Sequence, residues 1–329
     1  MSGLEGPVAP SEQPITVQPI TVMVTGAGGP AGVSVVRALS RMGHAVVAVD
    51  TDPLAAGLYL ASRSALVPEV DDVGYVDALV DMARSSGARA LVPTLAEELV
   101  VLNDAHGRLE DAGLAHWLPD PAAVRRCTDK WEFSQALLAA GISAPPTSLG
   151  AADGLPGPWV VKPRFGRGSR DVNIVEDPRE LPFVLARVPQ PIVQAKLEGR
   201  EFTVDALVGR DGQLAGAVPR WRNETRGGIS TKGVTFADEH LTGEVARLLR
   251  TLQLVGPANV QGFVREDGLV SFTEVNPRFS GGLPLSLAAG ADLVGEYLHC
   301  VLGGQPRSQR LKFRPGTSMT RYFEEIIQG

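Results

Sequence analysis

The sequence predicts an α/β chain in which a parallel-sheet unit precedes a strand-richer α+β unit, and two observations carry that prediction. From Ile20 on, TVMVTGAGGPAGVSVVRALSRMGHAVVAVDTDP reads as a β-branched run, a glycine turn, a helix-period segment and a second apolar run, which is a β-α-β unit. After about Pro119 the texture changes, and short apolar strands come to dominate.

In order along the chain, YVDALVDMARSSG reads as a helix, ARALVPT as a strand and the stretch through EELVVLNDAHGRLEDAG as a further helix. Alternation of this kind implies parallel strands covered by helices on both faces. PAAVRRCTDKWEFSQALLAAG then reads as one helical stretch, leading through ISAPPT to the strands WVVKP, DVNIV, PIVQAKL and EFTVDALVG. The helix EHLTGEVARLLRTLQL follows. Next come the strands ANVQGFV and LVSFTEVNP, joined by a turn at Glu266-Asp267-Gly268, and the helix ADLVGEYLHCVLG. No internal repeat is visible.

The composition narrows the function classes. With 329 residues, 44% hydrophobic and 21% charged, the chain can hold two or three compact units. Against 37 Asp plus Glu stand 31 Lys plus Arg, a formal charge of -6 that argues against a nucleic-acid partner or an acidic membrane surface. Two cysteines and five scattered histidines supply neither a disulfide framework nor zinc-ligand spacing, which points to a reducing, cytoplasmic compartment. The opening residues 1–19 read as a flexible tail rather than a signal peptide, and no apolar run is long enough to span a membrane.

Several short stretches carry chemistry. The turn GAGGPAG, residues 26 to 32, is of the kind that holds a dinucleotide, with Asp50 placed to meet a ribose hydroxyl. The same glycines are what any tight β-α turn with close helix packing needs. In EVNPRFSGG, Glu274, Asn276 and Arg278 share one face of an extended strand while Val275 and Pro277 point the other way. Gln261 of NVQ can lie on a neighbouring strand, and its oxygen with those of Glu274 and Asn276 suits a hard cation such as Mg2+. WVVKPRFGRGSRDV puts Lys162 at a strand end before a loop with Gly166 and Gly168, suited to folding over phosphates. In VQAKLEGREFTVD, Glu201 can accept from ribose hydroxyls. PRWRNETRGGISTKGV reads as a basic loop, residues 219 to 234, whose Arg220, Arg222, Arg226 and Lys232 can gather an anionic substrate.

Taken in order, DK, VVKP with its glycine loop, VQxxxxGxEFTVD, NVQ and ExNPR resemble the ATP-grasp superfamily, and within it the carbamoyl-phosphate-synthase-like branch. The first unit, through TGAGGPAG, VVAVDTDP and LVPTLAEELVVL, resembles the biotin-carboxylase-like, Rossmann-like domain that precedes that fold. The resemblance spans about residues 20 to 305. It implies a pre-ATP-grasp domain at 20–118, an ATP-grasp domain at 119–310 with a lid at about 145–195 and a C-terminal part at 196–310, and an extension at 311–329. It further implies ATP and Mg2+. Lys130 and Lys162 would hold phosphates, residues 165 to 170, with Gly166, Gly168 and Ser169, would form the lid loop, and Glu201 would hold the ribose. Adenine would rest on backbone near Lys196 and Leu197, because Ala195 stands where many relatives carry an acid. Gln261, Glu274 and Asn276 would carry the metal. Arg278 would neutralise the transferred phosphoryl group, and Ser280 and Gly281 would meet substrate beside Arg220 and Arg222.

The activity expected is ligation of a small-molecule carboxylate, activated as its acyl phosphate, to an amine, with amino-acid-like substrates and release of ADP and phosphate. No persuasive Ser-His-Asp or Cys-His set competes with it. A kinase acting on bicarbonate or carbamate stands as the alternative, an NAD-dependent dehydrogenase and a nucleotide-binding regulator as readings from other classes. A homodimer is left open.

Overall fold

The computed structural model describes residues 18–152, 154–166, 168 and 170–327. The first unit runs β1 (Thr21–Val24), α1 (Pro30–Arg41), β2 (Ala45–Asp50), α2 (Ala56–Leu60), β3 (Arg63–Leu66), α3 (Tyr75–Ser86), β4 (Ala90–Val92), α4 (Glu98–Asp104) and α5 (His106–Asp111). Its strands form a parallel sheet in the order β3-β2-β1-β4. Two glycines of the β1–α1 turn are dictated by geometry: Gly26 has φ +58, and a Cβ on Gly32 would sit 2.2 Å from the Gly26 carbonyl oxygen. Pro30 then opens α1, where its missing N–H costs nothing.

The long helical stretch expected at 121–141 is two helices, α6 (Pro121–Thr128) and α7 (Lys130–Ala139). Asp129 breaks it: its backbone is extended, and its side chain accepts from Trp131 N and Glu132 N at 2.9 and 3.2 Å, capping α7. A small antiparallel sheet follows, built from β5 (Thr147–Leu149), β6 (Trp159–Pro163), β7 (Asn173–Val175) and, after α8 (Leu181–Arg187), β8 (Pro191–Ala195), in the order β5-β8-β6-β7. Among the described residues its buried core cluster is small, Val161, Val175, Val188 and Val193.

The largest sheet comprises β9 (Arg200–Val208), β10 (Leu214–Arg226), β11 (Ile229–Thr235), β12 (Gly256–Val264), β13 (Val270–Asn276) and β14 (Ser318–Thr320), in the antiparallel order β13-β12-β9-β10-β11-β14. Around it lie α9 (Glu239–Thr251), α10 (Leu283–Ala288) and α11 (Leu293–Val301). The segment expected to be a basic loop is instead most of a hairpin. β10 and β11 pair from Arg220 opposite Thr235 to Arg226 opposite Ile229, and the two-residue turn is Gly227-Gly228, both at positive φ, as such hairpins require. The segment set apart as 311–329 is tied in over part of its described length, since Leu311 is buried and β14 pairs with β11.

Leu241, Val245, Leu248 and Leu249 of α9 pack on Phe202, Val204, Val260 and Val275 of the large sheet. A second core joins Val35, Val36 and Leu39 of α1 to Leu293, Val294 and Tyr297 of α11 and to Leu207 and Val218. That shared core fixes the glycine turn over the 280–282 loop, where a Cβ on Gly281 would lie 3.2 Å from Pro30. Among the described residues no helix is long and apolar enough to cross a membrane.

Candidate active site

Two adjoining cavities lie along the large sheet. The larger, about 680 Å³, opens between the glycine turn of the first unit and the residues Arg220, Arg278, Ser280 and Gly281. The smaller, about 340 Å³, lies between the small four-stranded sheet and the large sheet. Gly168, Arg170, Arg222, Gly228, Gln261 and Glu274 line both, so any group passing from one cavity to the other passes them.

The smaller cavity has a cationic end and an apolar wall. Lys130, Lys162, Gly166, Lys196, Leu197 and Glu201 line it, with Val160, Ile174 and Phe263 on the apolar side. Asp129, by breaking the helix, leaves Lys130 at the first position of α7; its Nζ donates to the Gly166 carbonyl at 3.0 Å, while Asp129 pairs with Arg164 at 2.5 Å. Lys162 is buried, and burial is the main reason its ammonium is pushed down to about 8, helped by Lys130 and opposed by Glu274. Burial also lowers Lys130, against the pull of Glu274. Ser169 lies outside the described residues.

Strand register assembles the oxygen donors. Asn259 stands opposite Asn276 and Gln261 opposite Glu274 across the β12–β13 pair, with all four on the cavity side and Val260 and Val275 in the core. Asn276 Nδ2 donates to Glu274 Oε1 at 2.8 Å, and Arg278 Nη2 donates to Asn276 Oδ1 at 3.1 Å. Gln261 Oε1 accepts from Arg222 Nη1 at 2.9 Å. One carboxylate and two amide oxygens converging with lone pairs to spare fit a hard divalent cation that brings its own anionic ligands. Asn259 is engaged elsewhere, on Thr203 and Asp205.

Arg220 and Arg222 come from alternate positions on one face of β10. Arg220 is 1% exposed, donates to Asp205 Oδ1 at 2.8 Å and to Ser280 Oγ at 3.0 Å, and leaves its Nε without a partner. Arg226 and Lys232 are not brought into either cavity. They flank Glu224 at 3.9 and 2.7 Å on the exposed part of the hairpin.

The glycine turn has its own supports. Asp50, read from sequence as a ribose ligand, accepts from Gly28 N at 2.7 Å and from Asp52 N at 3.1 Å, so it holds the turn. Glu98 is fully buried and accepts from Thr25 Oγ1, Tyr75 OH, Thr94 N and Leu95 N. Burial raises its carboxyl against those four hydrogen bonds. Arg170, read from sequence only as the end of the loop 165 to 170, lies on the border of the cavities, and Arg321, which sequence reasoning missed, donates to Ser230 O at 3.0 Å and to Gly281 O. The RGSR run carried a signal for the first; nothing local marks the second. Nor are all the histidines scattered: ligand atoms of His106, Glu110 and His116 lie within 4.8 Å of one another, on the first unit and outside both cavities.

A large sheet, a smaller sheet across a cleft from it, two lysines, an oxygen cluster and an arginine make up the site, and comparison with known proteins shows what the chain is similar to. Residues 22–116 match the family model "PylC-like, N-terminal domain", and residues 187–324 match "ATP-grasp in the biosynthetic pathway with Ter operon". The chain thus carries an ATP-grasp domain preceded by a PylC-like N-terminal domain. The uncharacterized protein y4rH of Sinorhizobium fredii is 29% identical over 61% of this chain and 47% of its own length. The carbamoyl phosphate synthase large chain of Beutenbergia cavernae is 28% identical over 57% of this chain and 20% of its own. The chain thus spans half or less of these relatives. Among solved structures, the biotin carboxylase domain of Hydrogenobacter thermophilus 2-oxoglutarate carboxylase superposes with TM-score 0.71 at 18% identity, over 89% of this chain and 72% of that one. The L-amino acid ligase of Bacillus licheniformis gives 0.69 at 17%, over 91% and 78%.

Proposed function

We propose that the protein is an ATP-dependent carboxylate-amine ligase acting on amino-acid-like substrates, with ATP in the smaller cavity, the carboxylate in the larger and Mg2+ between them. The observation that carries this reading is the pair of adjoining cavities whose shared border holds Arg222, Gln261 and Glu274. The structures it resembles agree: one was solved with MgADP and bicarbonate, another is an amino acid ligase.

A free carboxylate is a poor acyl donor because its leaving group would be oxide. In the proposed reaction a carboxylate oxygen attacks the γ-phosphorus, ADP departs, and the amine attacks the acyl phosphate, expelling phosphate. Such chemistry needs positioning and charge neutralisation more than a protein nucleophile. Arg278 meets the transferring group with two donors, Lys130 and Lys162 hold phosphate oxygens, and the lid loop excludes water. Mg2+, held by Gln261, Glu274 and Asn276, would supply charge neutralisation on the phosphate chain. Testing is direct: ADP release over a panel of acids and amines should require one of each. Release that depends on bicarbonate alone would favour the kinase instead.

Two further outcomes are expected. Lys162 binds phosphate as the ammonium, so nucleotide affinity should hold below pH 8 and fall as pH rises above it, by up to about tenfold per unit. A dissociation constant unchanged from pH 7 to 9.5 would take Lys162 out of the phosphate site. The peptide carrying Gly166 and Gly168 should gain hydrogen-exchange protection when nucleotide binds, since its sheet has only a small core and glycines are costly to order. Equal protection in both states would make it a rigid hairpin.

A further inference from the structure

We infer that Arg222 is a built-in counter-ion that closes the metal site to a free divalent cation, so that the metal is taken up only together with the nucleotide. The inference rests on the assignment of Gln261, Glu274 and Asn276 as metal ligands and adds a role for a residue outside that set.

Arg222 is 8% exposed, and its guanidinium is bound on three sides: Nη1 donates to Glu201 Oε1 at 2.7 Å and to Gln261 Oε1 at 2.9 Å, and Nη2 to the Gly228 carbonyl at 2.9 Å. Two of those acceptors are the proposed ribose group and a proposed metal ligand, and the third is the tip of the β10–β11 hairpin. One arginine therefore ties down three parts of the cleft. A guanidinium cannot shed its proton at any working pH, so the only way to remove its charge from the site is to move it or to bring in anions.

The charge balance around it decides what can bind. Cationic side chains, Lys130, Lys162, Arg170, Arg222 and Arg278 among them, outnumber the carboxylates Glu201 and Glu274 around the border of the cavities. Glu201 is already neutralised by Arg222. A bare divalent ion at Gln261 and Glu274 would displace a hydrogen bond from Gln261 and add charge next to a fixed cation. A polyphosphate reverses that: its oxygens accept from Arg222, release Gln261 for the metal and supply the missing negative charge. Contact with Gly228 also couples the exchange to the hairpin turn, which lines both cavities.

Mn2+ binding to the full chain, followed by electron paramagnetic resonance with and without ADP, tests this without turnover. The wild type should bind Mn2+ weakly alone and at least tenfold more tightly with ADP present. Arg222→Gln, which keeps polar partners for Glu201 and Gln261 but drops the charge, should bind Mn2+ without nucleotide at least tenfold more tightly than the wild type. Arg222→Lys should restore exclusion, and adding Glu274→Gln to Arg222→Gln should abolish the gain. Nucleotide-free wild type that binds Mn2+ as tightly as Arg222→Gln overturns the inference. So does exclusion that survives in Arg222→Gln but is lost in Arg222→Lys, which would make shape rather than charge the cause. A failure of the metal assignment itself has a different signature: Mn2+ binding with ADP would then be unaffected by Glu274→Gln in the wild-type background.

Discussion

Glu274→Gln is expected to lower ADP formation by on the order of a thousandfold, about 4 kcal/mol of barrier, while the protein stays folded. Glu274 is the one carboxylate among the three proposed metal oxygens, it lies on the border of both cavities, and it offsets the burial of Lys130 and Lys162. Substituting an amide keeps the shape and the hydrogen bond to Asn276 but removes the charge that anchors the cation. Circular dichroism should be unchanged, since Glu274 stands on the cavity face of β13 and its neighbour Val275 makes the core contacts. Turnover within tenfold of wild type at ordinary Mg2+ would contradict the assignment.

Arg278→Lys should lower the maximal rate about a hundredfold and change the ATP dissociation constant little. Arg278 spans from the Phe279 carbonyl, at 2.8 Å, to Asn276 Oδ1, so its planar fork is held in one orientation beside the metal oxygens. A lysine supplies the charge but not two fixed donors. Binding reads the charge; the rate reads the geometry. If the loss fell on ATP affinity with the rate intact, Arg278 would be a nucleotide-binding group rather than one that meets the transferring phosphoryl.

Much of the strand face that carries the proposed metal oxygens was legible because strand alternation is a strong constraint. Glu274 and Asn276 must share a face, and a hairpin through Glu266-Asp267-Gly268 brings Gln261 beside them; that Gln261 stands opposite Glu274 itself depends on a bulge between Gln261 and Gly262 that sequence does not mark. The first unit was legible for a similar reason, since its glycine turn and alternating pattern allow few other folds. What sequence concealed depends on tertiary partners. The basic run 219–234 reads as a loop that gathers an anionic substrate, yet Arg220 is paired with Asp205 and Ser280, and Arg222 with Glu201. The two-residue Gly227-Gly228 turn was a hairpin signal that the density of charge masked. Asp129 looked like an ordinary helix residue, whereas its caps and its pair with Arg164 make it a break that sets Lys130 against the Gly166 carbonyl. Arg321 could not be found locally at all, because it reaches the site only through the pairing of β14 with β11, far along the chain.

The fate of one oxygen atom tests the central claim most directly. A carboxylic acid that supports ADP release, supplied with heavy oxygen in its carboxylate, should deliver one labelled atom to each phosphate released, because the attacking oxygen leaves with the phosphoryl group when the amine displaces it. Product formation with unlabelled phosphate would contradict activation through an acyl phosphate and, with it, the proposed passage of the phosphoryl group from one cavity to the other.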